Sequence, residues 1–113
     1  MLAKKHRINK EFFKEILKRG KSCHLETISL KILSPVDKGP FFTFVVSKKT
    51  AKKAVSRNKL KRQGRYIIKK HLNSFKKGMA IIIFFKKGSE TMIFFDLEEK
   101  MLQLFKKAKV ITF

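Results

Sequence analysis

The 113-residue chain carries 29 Lys and Arg against 8 Asp and Glu, a formal charge of +21 and a pI near 10.5. Hydrophobic residues make up 43%, enough for one modest core, so the charge excess does not signal disorder. A surface this basic repels itself unless a polyanion neutralises it, which puts nucleic acid first among partners, and the longest apolar stretch, Met79 to Phe85, is too short to span a bilayer.

In chain order, residues 1–8 read as a basic arm with Lys4, Lys5, His6 and Arg7, and no apolar segment of the kind a secretory signal needs follows them. Asn9 is placed to cap a helix carrying Phe12, Phe13, Ile16 and Leu17 at helical spacing, which Gly20 stops. Ile28, Leu30 and Ile32 alternate with Thr27, Ser29 and Lys31, the period of a half-buried strand. Pro35 to Pro40, with Asp37 and Gly39, reads as a turn leading to a second strand, Phe41 to Val46, expected to pair with the first as a hairpin. The basic segment SKKTAKK, residues 47–53, then crosses to a helix from about Ala54 to His71. Gly78 ends a short loop, and Met79 to Phe85, apolar on both faces, is expected to lie at the centre of the sheet. Asp96 with Glu99 suggests a capping box opening a last helix with an apolar stripe of Leu97, Met101, Leu104, Phe105 and Ala108. The order α-β-β-α-β-α makes an α+β, single-domain sandwich over residues 1–113.

The helix from Ala54 concentrates the chemistry. Leu60, Gly64, Ile67, Ile68 and His71 fall on one arc, and Arg57, Asn58, Lys61, Arg62, Arg65 and Lys69 occupy the arc beside it. Only five of the 29 basic residues are arginine, and Arg57, Arg62 and Arg65 lie within this one helix. Guanidinium offers a planar fork for phosphates and base edges that ammonium lacks. A salt-bridged face would need acids, and from Lys38 through Ser89 there are none.

The same segment carries a resemblance. VVSKK (Val45 to Lys49), KAV (Lys53 to Val55) and RNKLKRQGR (Arg57 to Arg65) resemble the signature of the bacterial ribonuclease P protein family, and Arg7, Phe13, Arg19-Gly20 and the basic end at Lys106, Lys107 and Lys109 also fit. The resemblance implies an α/β sandwich with an unusual left-handed β-α-β crossover, where sequence rules alone favour a right-handed one. It implies a subunit of an endoribonuclease that matures the 5′ end of tRNA, with the catalytic centre and its magnesium ions in the RNA subunit and none bound by the protein alone. Binding of that RNA would fall to Ser47, Lys48, Lys49, Lys53, Arg57, Asn58, Lys61, Arg62, Arg65 and Lys69. The single-stranded leader of precursor tRNA would lie between the first helix and the sheet, at Phe13, Leu17, Ile28 and Lys31, with Arg7. Leu17 and Lys31 stand where relatives often carry aromatic residues, and Gly64 replaces a larger apolar residue at a cost of roughly 1 kcal/mol in helix propensity. One protein per RNA subunit is the simplest stoichiometry.

Other classes fit less well. His6, His24 and His71 are scattered without carboxylates at ligand or triad spacing, and Cys23, the sole cysteine, has no CxxC partner, so no catalytic or metal residues are assigned and a reducing cytoplasm is expected. Most of the 12 Phe, including Phe84, Phe85 and Phe105, sit at core periodicity. A ribosomal protein or general RNA chaperone would share the charge but not the ordered VVSKK, KAV, RNKLKR string. A membrane-active peptide would not alternate into strands, so no membrane partner is expected.

Overall fold

The computed structural model describes residues 6–112. Helix α1 (Lys10–Arg19) precedes strands β1 (Lys21–Leu25), β2 (Ile28–Leu33) and β3 (Phe41–Val46), followed by helix α2 (Ala54–Lys70), strand β4 (Ala80–Phe85) and helix α3 (Phe94–Lys107). The expected α-β-β-α-β-α order is present, with β1 as an additional edge strand. The Asn9 side chain accepts from the Phe12 amide as the N-cap of α1, and the Gly20 amide donates to the Ile16 carbonyl at its end.

Strand order is β1-β2-β4-β3, with β2 antiparallel to β1 and β4, and β3 parallel to β4. The expected hairpin of β2 with β3 therefore does not form. β4 is buried along almost its whole length and takes the place between them, because a strand apolar on both faces needs a neighbour on each side. The hairpin that does form joins β1 to β2 through a turn at Glu26, whose φ is 51°. That turn lacks the Asn-Gly or Asp-Gly signal that usually marks such a bend, and KSCHL is too polar to read as a strand.

The sheet separates two cores. On one face Ile28, Leu30, Ile81, Ile83 and Phe85 pack under Leu60, Ile67 and Ile68 of α2 and Leu97, Met101 and Phe105 of α3. On the other, Leu33, Ala80 and Ile82 pack under Ile16 of α1, flanked by Phe12, Phe13 and Phe41. Phe12 meets Phe41 edge to face at 5.4 Å. Gly64 sets how closely α2 approaches: a Cβ there would stand 2.6 Å from Cε1 of Phe44, a ring stacked on Phe85.

The start of α3 also departs from expectation. The helix begins at Phe94 with Ile93 as an N-cap that makes no side-chain bond, so Asp96 lies in the first turn rather than opening a capping box. Phe94 packs edge to face on Tyr66 of α2, and this contact draws the helix start forward, while Asp96 still complements the positive end of the helix dipole.

Candidate nucleic-acid interface

α2 starts without a side-chain cap, with no acid in its first turn and with Lys53 at the N-cap, contrary to what the helix dipole favours. Its anchorage comes from the crossover instead. Thr50 is buried and donates from Oγ1 to the Phe85 carbonyl at 3.0 Å, while its amide donates to Oγ of Ser47 at 3.3 Å. Arg57 donates from Nη1 to the carbonyls of Ala51 and Lys52 at 3.0 and 2.7 Å. Ser47 and Arg57 thus hold the crossover in shape, in addition to any contact they make with a ligand. Lys48, Lys49 and Lys53 stand exposed along it.

Beyond this turn, Asn58, Arg62 and Lys69 are exposed and Lys61 and Arg65 half-buried. The ion pairs among the described residues join Glu15 to Arg19, Glu26 to Lys100, and Glu98 to Lys70 and His71. None engages Lys61, Arg62, Arg65 or Lys69, so these four cations have no ion-pair partner among the described residues. Glu98 is the acid nearest the helix end, and it is taken. Burial works against its charge, but hydrogen bonds from His71 and Lys70, and the charges of Lys70 and His71, outweigh that and hold its carboxyl below the usual range. His71, expected on the apolar arc, is half-buried there with Nε2 3.1 Å from Glu98 Oε2.

On the opposite face of the sheet, α1 covers only the half of the surface around Leu33, Ala80 and Ile82. The remainder is an open cleft of about 450 Å³. Its floor follows from strand register: His24 pairs with Ser29, Ser29 with Phe84, and Phe84 with Val45, one row across all four strands. Leu17 and Lys31 form a wall, and Ser47, Lys86 and Lys87 lie at the end.

Of the residues predicted for a leader cleft, Leu17 and Lys31 line it. Phe13 is half-buried in the packing of α1 on the sheet, one turn before Leu17, and is not among the lining residues. Ile28 is a correction: it is 0% exposed in the core beneath α2 and α3. Side chains alternate along a strand, so Ile28 and Lys31, an odd number of positions apart, must face opposite sides. Arg7 is a second correction. It bridges Phe42 on the free edge of β3 and lines a hollow with Lys61 and Arg65, on the side of the cationic helix and away from the cleft. Phe84 is expected in the core with Phe85, but the same alternation turns it to the cleft floor, where it is half-buried. His24, Lys86 and Lys87 carry no sequence signal, because only the strand order brings them together.

Among the described residues, no three His, Cys, Asp or Glu side chains gather where they would hold a metal ion, and no helix is long and apolar enough to cross a membrane.

Fold and site define a small α+β sandwich with a cationic crossover helix on one face of its sheet and a part-aromatic cleft on the other. A family model described as Ribonuclease P matches residues 2–109. The chain is 34% identical over 102 residues to the ribonuclease P protein component of Finegoldia magna, covering 90% of this chain and 88% of that protein. With the component from Microcystis aeruginosa it shares 38% identity over 95 residues, covering 83% and 79%. Among solved structures, it is similar to the RNase P protein from Staphylococcus aureus, with a TM-score of 0.85 at 25% identity over 95% of this chain and 98% of that one. The Thermotoga maritima RNase P protein gives 0.81 at 29% identity, covering 89% and 96%. The chain belongs to the ribonuclease P protein family, and its role is in ribonuclease P.

Proposed function

We propose that this chain is the protein subunit of a ribonuclease P ribonucleoprotein in the bacterial cytoplasm, one copy per RNA subunit, which assists endonucleolytic removal of the 5′ leader from precursor tRNA. The cationic face of α2, with Lys48, Lys49 and Lys53, binds the catalytic RNA, which holds the magnesium ions and performs the cleavage. The leader lies in the cleft on the other face of the sheet. The observation that carries this reading is the set of α2 cations without acidic partners among the described residues. Such cations release condensed counterions when they meet phosphates, a term sequence-independent enough to hold a large folded RNA. A cationic helix on one face of the sheet and a cleft on the other support a division of labour in which the protein grips enzyme and substrate together.

In the cleft, Phe84 offers an aromatic surface to an unpaired base while Lys31, Lys86 and Lys87 meet the backbone. Base–aromatic stacking contributes about 1–3 kcal/mol per base. Reconstitution tests the reading. The isolated protein leaves precursor tRNA intact, and adding the enzyme RNA restores cleavage at the mature 5′ end. Phe84→Leu, which keeps apolar volume but removes the ring, lowers the affinity ratio of precursor over mature tRNA roughly 5- to 150-fold with little change in enzyme-RNA affinity. Correct cleavage by RNA-free protein, or an unchanged ratio, would overturn it.

A further inference from the structure

Tyr66 is 60% exposed on α2. It lies between Arg62 and Lys70 in an i, i+4, i+8 row, and with Arg65 and Lys69 these residues line an open hollow of about 620 Å³. The edge-to-face contact with Phe94, centroids 5.6 Å apart, braces the ring without covering it. Lys70 is paired with Glu98, but Arg62, Arg65 and Lys69 make no ion pair among the described residues. A braced aromatic surface beside these cations matches what unpaired RNA requires: a flat apolar surface for the base and positive charge for its flanking phosphates. We propose that Tyr66 is a stacking platform for an unpaired nucleobase of the enzyme RNA. This rests on the reading that α2 faces that RNA. The leader is the less suitable occupant, because its cleft lies across the sheet from α2.

The test compares wild type with Tyr66→Phe, Tyr66→Leu and Arg62→Ala, measuring affinity for the enzyme RNA across a salt series. Tyr66→Phe keeps the ring and binds within about twofold of wild type, whereas Tyr66→Leu, which still packs on Phe94, binds roughly 5- to 150-fold more weakly. The salt slope stays unchanged in Tyr66→Leu, since no charge is removed, and becomes shallower in Arg62→Ala. Tyr66 is the only tyrosine and there is no tryptophan, so tyrosine emission, corrected for RNA absorbance, reports this ring alone and is quenched on binding. Wild-type affinity in Tyr66→Leu alongside a weakened Arg62→Ala overturns the platform and leaves the α2 interface standing. Unchanged affinity and slope in both variants overturns the interface as well. A loss in Tyr66→Phe equal to that in Tyr66→Leu assigns the effect to the hydroxyl and overturns stacking, as does a Tyr66→Leu defect seen only when precursor tRNA is added.

Discussion

Replacing Gly64 by alanine sets two opposing effects against each other at one atom. Alanine in a helix interior is favoured over glycine by about 0.8–1 kcal/mol, so in an exposed helix the change would stabilise. Here the new Cβ would lie 2.6 and 2.9 Å from Cε1 and Cδ1 of Phe44 and 3.1 Å from Cζ of Phe85. Carbon atoms settle at about 3.5–4.0 Å, so helix and ring must separate by roughly 1 Å. Phe44 cannot easily give way: it is 8% exposed and lies parallel to Phe85, with an interplanar angle of 3°. Overpacking of this kind costs about 1–3 kcal/mol. The net expectation is a destabilisation of about 1 kcal/mol, a fall of roughly 4 °C or more in Tm for a domain of this size. Thermal and urea unfolding of Gly64→Ala, Phe44→Leu and the double variant check the cause. With the ring removed, the alanine should become neutral or stabilising, a coupling of about 1–2 kcal/mol between neighbours. An alanine that raises Tm in the wild-type background, with no coupling to Phe44, would refute the close approach of α2 to the sheet.

Three further expectations concern charge and packing. Arg62→Ala with Arg65→Ala should weaken enzyme-RNA binding and reduce the log–log salt slope by roughly 0.7–0.9 for each phosphate no longer neutralised; Arg57→Ala should in addition lower Tm, because its guanidinium also secures the Ala51 and Lys52 carbonyls. Phe13→Ala should lower Tm by loosening α1 while leaving the precursor-to-mature affinity ratio nearly unchanged, and a changed ratio at constant Tm would instead put this ring in the cleft. Glu98 has a carboxyl pKa held below its unfolded value, so the stability it contributes is present above the unfolded value and is lost as pH falls through the folded one. The stability difference between wild type and Glu98→Gln should therefore be largest near neutral pH and shrink below about pH 4, whereas a difference independent of pH would show that the ion pair does not govern it.

Much of the molecule is legible in the order of its residues. The helical period of Leu60, Gly64, Ile67 and Ile68 and the cations beside it are local patterns, and α2 forms over Ala54–Lys70 with those residues buried. The two-sided apolarity of β4 foretells its central position for the same reason: burial on both faces is written into consecutive residues. Glycine at 64 is interpretable too, as a place where another element comes close. The cleft is a different matter. Alternation says that Phe84 and Phe85, or Ile28 and Lys31, face opposite ways, but not which face α1 half-covers. Only the insertion of β4 between β2 and β3 aligns His24, Ser29, Phe84 and Val45 in one row, and only the bridge between Arg7 and Phe42 at the edge of β3 brings Arg7 to Lys61 and Arg65. Local periodicity decides which side of an element is apolar; the pairing of distant strands, set by the burial of the whole sheet, decides what that side meets.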